Sequence, residues 1–440
     1  MNKTASEVLE FVQENDVKFI RLGFCDPFGV QKNISIMADE LVDAFEYGVS
    51  FDAHSVKGFR DVTRSDLLLF PDPATLMVLP WRPGQGAVAH FYCDIKKPDG
   101  SPFLHDGRIL LKRVVERCGK MGYVCKIGAE CEFYLFKTDE SGEPTDKPLD
   151  NGGYLDIPPL DKAEDIRREI CLALEDMGVK PESSHHEQGP GQNEIDFRFS
   201  DAVSCADNLL AFKSVVKAIA ARNGLFASFM PKPIPNVAGS GLHVNLSLSQ
   251  NDANIFKNAA LGEHSEIAES FIAGILQKTP EITLFLNPIA NSYERFGVHD
   301  APKYVSWSHQ NRSQLIRIPA AQGEKVRMEL RSPDPSLNPY IAFALIISAG
   351  LDGIENKLKL PSEVDADLYS APESITSKLA VLPDSLDKAI RLAENSTLVK
   401  SVLGEELLAK YIDVKKNEAA DSAATADISK FYKGRFFNFV

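Results

Sequence analysis

The segment His185-His186-Glu187-Gln188-Gly189-Pro190-Gly191-Gln192-Asn193-Glu194 sets two imidazoles and two carboxylates around a Gly-Pro-Gly turn. It runs straight into Ile195-Asp196-Phe197-Arg198-Phe199, the apolar-polar alternation of a strand. A surface loop has no need of so many ligating groups, and an apolar core would not tolerate them unpaired. The question is what they hold.

The same pattern recurs along the chain. Strand side chains alternate between faces, so in Gly128 to Phe136 the acids Glu130 and Glu132 share one face while Cys131, Phe133 and Leu135 take the other. In Gly241 to Ser247, His243, Asn245 and Ser247 fall together, and in Arg327-Met328-Glu329-Leu330-Arg331 two arginines flank a glutamate. Each segment alone reads as a solvated strand face. Brought together with the opening segment they offer five carboxylates and an imidazole. Two carboxylates ~5 Å apart repel by about 3 kcal/mol at an effective dielectric of 20, so such a cluster needs cations within it. Oxygen-rich ligation with one His suits Mg²⁺ or Mn²⁺ rather than a thiolate-seeking metal. Arg312, Arg317, Arg327 and Arg331 suit phosphate oxygens, which guanidinium groups bind in pairs. No GxxxxGK[ST] loop is present, so a nucleotide would rest on strands, metal and arginine.

The 440 residues are 44% hydrophobic and 25% charged, with 48 Lys and Arg against 62 Asp and Glu for a net charge of −14. That is the profile of a soluble globular protein, and the acidic balance disfavours nucleic acid or an anionic membrane as a partner. Seven scattered cysteines form no CxxC pair, which points to a reducing compartment. The N-terminus carries acids where a signal peptide would be apolar, and the greasiest run, Tyr340 to Leu351, falls short of the ~20 residues of a membrane span. A cytoplasmic location is expected.

A short first helix precedes a strand at Val17–Leu22 that turns at Asp26-Pro27-Phe28-Gly29. Short strands continue to Ile95, and Lys97-Pro98-Asp99-Gly100 closes a small β-rich domain. From Gly107 helix alternates with strand. Asp161 and Glu164 predict a capping box ahead of the stripe Ile166, Ile170, Leu174, with Gly178 as the stop. A second helix carries Leu209, Phe212, Val216 and Ile219, and a third begins at Asn338-Pro339. The polar stretch Asn417 to Ala423 is expected to be mobile. The architecture predicted is α+β: a small N-terminal β-grasp-like domain (1–105) and a large domain of helices on antiparallel strands (106–440).

With these residues in view, the chain resembles bacterial type I glutamine synthetase over nearly its whole length. The matching segments are Phe51-Asp52 with Ser65-Asp66, Glu130-Cys131-Glu132, HHEQGPGQNEIDFRF and Phe229 to Ile234. GSGLHVNLSL (239–248), Asn287-Pro288 with Asn291-Ser292-Tyr293, NRSQLIRIP (311–319) and RMELRSPDPSLNPY (327–340) complete them. The resemblance implies one metal site from Glu132, Glu187 and Glu194 and another from Glu130, His243 and Glu329. It implies that Arg295 and the loop at Gly239 bind glutamate, and that Arg312, Arg317 and Arg331 meet the transferring phosphate. Phe199 and Arg327 would sandwich adenine beside Asn245 and Ser247, and Asp52 and Asp300 would bind and deprotonate ammonium. His185 and His186 would be hydrogen-bonded scaffold. The reaction implied is ATP-dependent ligation of ammonia to the γ-carboxyl of L-glutamate through γ-glutamyl phosphate. The assembly implied is a homo-dodecamer of two stacked hexamers, each site shared between neighbours.

Three departures cluster at the amine and amino-acid pocket. Asp52-Ala53-His54-Ser55 stands where the family has DGSS. His299-Asp300-Ala301-Pro302 puts Asp where the flap has Glu, and Ala238 replaces the Asn before Gly-Ser-Gly. They leave open a γ-glutamyl-amine ligase that takes an organic amine or polyamine. A catalytically silent assembly protein, the third alternative, would have no reason to keep five clustered glutamates.

Overall fold

The computed structural model describes residues 3–81, 86–257 and 264–440. Six strands form the N-terminal sheet: β1 (Val17–Cys25), β2 (Gln31–Met37), β3 (Val49–Asp52), β4 (Asp66–Pro71), β5 (Met77–Val78) and β6 (Ala87–Lys96). Their order is β2-β1-β6-β4-β3, with β5 beside β6. β1 runs parallel to β6 and antiparallel to β2. The turn after β1 is held by Asp26, whose carboxylate accepts from the backbone N–H of Phe28 and Val30 while Gly29 takes the left-handed conformation (φ +87°). One face of this sheet buries Ile20, Leu22, Leu67, Leu69, Phe91 and Ile95 against the first helix, Ala5–Glu14, and its neighbours.

The second sheet has eleven strands. They are β7 (Val124–Thr138), β8 (Pro144–Pro148), β9 (Pro181–His186), β10 (Gln192–Phe197), β11 (Ser200–Asp201), β12 (Leu225–Ser228), β13 (Leu242–Gln250), β14 (Ala253–Asn254), β15 (Trp307–His309), β16 (Ile316–Ile318) and β17 (Met328–Leu330). The spine reads β15-β16-β17-β13-β7-β10-β9, antiparallel throughout except at β15–β16. Its apolar face rests on the helix Ala202–Arg222, which packs in turn on the mostly apolar helix Pro339–Glu355, capped by Asn338 as expected. The helix Glu266–Leu286 packs beside the latter, with Gly274 against Gly353; a Cβ on either would lie within 2.9 Å of the other's backbone, so this crossing needs both glycines.

The two cores meet at a buried charge cluster. Arg108, 3% exposed, pairs with Asp72 and Asp94 of the N-terminal part and with Asp207 of the helix Ala202–Arg222. Lys112 adds a second cation to Asp72 and Asp94, and the Tyr340 hydroxyl donates to Asp207. The apolar division does not fall cleanly at residue 105, because Cys25, Met77, Leu79 and Tyr92 pack into the larger core.

Two sequence expectations are corrected. The helix Glu164–Asp176 has Ala163 at its N-cap and no side-chain cap. The Asp161 carboxylate is instead taken by Arg167 (2.6 Å), a buried guanidinium that also donates to Asn193 on β10. The tail is not loose either: Asn417 to Ala423 lie within the helix Glu405–Ala424, and the buried Glu418 pairs with Lys415 and accepts from the Ala290 N–H. The cysteines are all free, as anticipated.

Candidate active site

The spacing of acids along single strands becomes a cluster through the registers between strands. Glu194 on β10 faces Glu132 on β7, Asp196 faces Glu130, and His243 on β13 lies opposite Glu130. One strand further, Glu329 on β17 pairs in register with Asn245. The result is a cleft of about 460 Å³ lined by Glu130, Glu132, Glu194, Asp196 and His243 together with Glu187, Gly239, Arg295, Asp300, Arg312, Arg317 and Arg331.

Ligand atoms of Glu130, His243 and Glu329 lie within 4.8 Å of one another, the first of the two expected metal sets. The second is divided: Glu194 groups with Glu132 and His243 on one side, and with His185 and Glu187 on the other. Glu187 is drawn aside because its carboxylate accepts from His185 (3.0 Å) and from the Gln188 N–H (2.9 Å). The electrostatics show what the cluster lacks. Glu132 is pushed up by burial and then by the charge of Glu187, and Glu194 is pushed well up by burial and then by Glu132. Burial would also raise Glu130, but hydrogen bonds from His243 (3.2 Å) and Asn245 (2.8 Å) hold it at about 2. Mutually repelling buried carboxylates with one imidazole are a donor set that a hard divalent cation satisfies.

Both oxygens of the fully buried Glu329 accept from guanidinium groups, one from Arg317 (2.5 Å) and one from Arg331. Arg331 also donates to the carbonyls of Arg312 and Asp300, so it ties three elements of the wall together. Arg295 is 3% exposed and makes no ion pair among the described residues; it donates to the carbonyls of Ser332 and Pro333, and its Nε has no partner. A buried guanidinium in that condition calls for an anion. Glycine is required beside it: a Cβ on Gly239 would sit 2.4 Å from the Pro231 carbonyl and 2.8 Å from Arg295 Cγ.

A second cleft of about 270 Å³ adjoins the first and shares Glu130, Asp196 and Arg327 with it. Phe199, Asn245, Ser247 and Arg327 line it, with Arg327 Nε donating to Asn245 (2.8 Å). Phe199 is 59% exposed, an aromatic face left open beside a guanidinium.

Asp52 stands apart. It ends β3, accepts from Ser55 Oγ (2.8 Å) and from the His54 N–H, and does not line the cleft of its own chain. His186 is scaffold as expected, fully buried between Asp150 (2.9 Å) and the Glu187 carbonyl. His185 comes closer to the ligands than expected, 3.8 Å from Glu194. Sequence reasoning passed over Asp196, Gln192, Gln188 and Tyr154, all in the lining. Asp196 had a signal, since it shares a strand face with Glu194 two residues before it. Gln192 had none; only the fold shows its amide donating to Glu132 (2.7 Å).

Residues 16–98 match the model of the glutamine synthetase β-grasp domain, and residues 104–433 that of the glutamine synthetase catalytic domain. Proteins named glutamine synthetase from Methanosarcina mazei and Clostridium saccharobutylicum are 47% and 45% identical over 94% and 95% of both chains. Among solved structures, a GmaS/ADP complex superposes with a TM-score of 0.87 at 30% identity, over 99% of each chain. With the acid-lined cleft, the arginine wall and both domain matches in hand, the chain belongs to the glutamine synthetase family of ATP-dependent ligases.

Proposed function

We propose that this protein joins ammonia to the γ-carboxyl of L-glutamate through γ-glutamyl phosphate, giving glutamine, ADP and phosphate. The observation that carries the reading is the cleft itself, in which buried acids crowd one wall and a buried Arg295, without an ion pair among the described residues, waits on the other. Residues 1–105 form the N-terminal domain and 106–440 the catalytic one.

In this reading Arg295 takes the α-carboxylate of glutamate, and the bare Cα of Gly239 lets the substrate lie against it. Phe199 and Arg327 enclose adenine, with Asn245 and Ser247 at its side. Glu132, Glu187 and Glu194 would hold one Mg²⁺ or Mn²⁺, and Glu130, His243 and Glu329 a second. When bound, such cations neutralise the phosphate oxygens between donor and acceptor. A γ-carboxylate oxygen of glutamate attacks the terminal phosphorus of ATP and ADP leaves. Arg312, Arg317 and Arg331 stabilise the charge on the transferring group. Asp300, with Asp52 from a neighbouring copy, binds ammonium and removes a proton. The free amine then attacks the acyl carbon, and phosphate departs. A closed site keeps water from the acyl phosphate.

The likeness to GmaS, a γ-glutamylmethylamide synthetase, favours a second reading in which methylamine or another organic amine is the nucleophile. The acids at positions 52 and 300 and the 42–47% identity to proteins named glutamine synthetase support ammonia. The test is phosphate release from ATP and glutamate with ammonium, methylamine, ethylamine and putrescine. An organic amine that exceeds ammonium per unit of free base overturns the ammonia reading. The assembly proposed is a dodecamer of two hexamers, and a monomer in light scattering that makes product would refute the shared site.

A further inference from the structure

One polar contact crosses the cleft that the steps above do not use. Gln188 Nε2 donates to Asp300 Oδ2 at 2.6 Å, linking residues 112 positions apart. Gln188 is rooted in the ligand turn, where its own N–H is held by the Glu187 carboxylate (2.9 Å). Asp300 sits at the tip of a loop closed by the bonds Gly297 N–H to Ala301 O and Ala301 N–H to Val298 O. His299 and Asp300 are both left-handed, at φ +46° and +62°, conformations that non-glycine residues keep only where the surroundings fix them. Two contacts do the fixing: Arg331 Nη2 holds the Asp300 carbonyl (3.2 Å), and Gln188 holds its carboxylate.

From this geometry, and resting on the ligase reading above, we infer that Gln188 is a positioning and specificity residue for the nitrogen nucleophile. Its amide latches the flap acid to the ligand turn and occupies the room that a carbon substituent on the nitrogen would need. Asp300 is one methylene short of a glutamate, and Gln188 spans the gap this leaves between the two walls. With Oδ2 committed to the amide, Oδ1 is the oxygen that faces an incoming amine. Held there, the loop excludes water as well as bulk. When the latch is absent, water attacks the acyl carbon of γ-glutamyl phosphate and returns glutamate and phosphate, so ATP is consumed without amide.

The full-length protein is compared with Gln188→Ala, Gln188→Asn and the pair Gln188→Asn with Asp300→Glu. Two readings are taken: kcat/KM for methylamine relative to ammonium, and phosphate released per amide formed. Removing the amide is expected to raise the methylamine preference about tenfold, the scale set by a methylene-sized change in a pocket. Phosphate per amide is expected to rise above one, with the KM for ATP unchanged. The paired variant moves the methylene from one partner to the other and returns both readings to wild-type values. Readings in Gln188→Ala within about twofold of wild type overturn the inference. If that variant is inactive, Gln188→Asn decides it, since failure of Asp300→Glu to rescue overturns the latch equally. Wild-type protein that releases no glutamate-dependent phosphate with any amine defeats the ligase reading itself, a different outcome from a coupled wild type with an indifferent Gln188.

Discussion

Replacing Glu194 with glutamine has opposite expected effects with and without metal. Glu194 is 6% exposed, and its ligand oxygen lies within 4.8 Å of that of Glu132. Two charges at that separation repel by about 3 kcal/mol at an effective dielectric of 20. Unfolding entropy of about 2.1 cal/mol/K per residue gives about 0.9 kcal/mol/K for the chain, so relief of the repulsion is worth roughly 3 °C in Tm. Because the folded-state pKa of Glu194 is raised, by burial and then by Glu132, its cost to the fold is absent below the ordinary carboxylate range and grows as pH rises through the folded value. In EDTA at pH 8, Glu194→Gln is therefore expected to melt about 3 °C above wild type, the difference vanishing by pH 4. Excess Mn²⁺ inverts the order. A cation at a thousand times its Kd stabilises the wild type by about 4.1 kcal/mol, more than the ~3 kcal/mol of relieved repulsion, and the variant forfeits most of that gain. Glutamate-dependent phosphate release is expected to fall at least ~100-fold. The assay is a melting curve at matched protein concentration across pH, with EDTA and with Mn²⁺. A variant less stable than wild type in EDTA, or an equal Mn²⁺ shift in both proteins, refutes the argument.

Gly239→Ala is expected to raise the KM for glutamate about tenfold by pushing Arg295 aside, with the KM for ATP unmoved; steady-state kinetics against each substrate checks this. Phe199→Ala removes an exposed ring and is expected to weaken ADP binding by about 1–3 kcal/mol in calorimetry, without altering the Mn²⁺-induced rise in Tm. Asp106, raised to about 7 by burial and by the charge of Asp94, stabilises the fold fully only below about pH 4 and loses that contribution as pH rises through 7. Asp106→Ser, which keeps an N-cap acceptor, is expected to flatten the decline of the urea midpoint between pH 5 and 7, and an unchanged slope would refute it.

Strand alternation made much of this site legible in the sequence. Glu130 and Glu132, or His243 and Asn245, can be placed on one face by counting alone, and the same count would have reached Asp196. Counting says nothing of register between strands far apart in the chain. That Glu194 faces Glu132, or that Arg317 and Arg331 converge on Glu329, follows only from the order in which the sheet is assembled. Capture by buried partners also explains the failures. Asp161 has the spacing of a cap, yet a buried Arg167 competes for it, and the polar run near Asn417 is helical because Glu418 finds Lys415 and the Ala290 N–H inside the protein. Local propensity cannot tell which polar partner the folded interior will supply, and for Glu418 one of them lies 128 residues away.

The charge cluster at Arg108 bears on how the molecule can move. One guanidinium gripped by carboxylates from both bodies is a weld, since pulling them apart takes the buried Arg108 from two of its three carboxylate partners at once. The turn Lys97-Pro98-Asp99-Gly100 is thus a tether rather than a hinge, and a cut there would leave the pieces clasped. With that joint rigid, the offset between Asp52 and the cleft is a constant of each protomer. In the ring proposed above, the curvature that brings Asp52 to a neighbour would be set inside each subunit before any two of them meet.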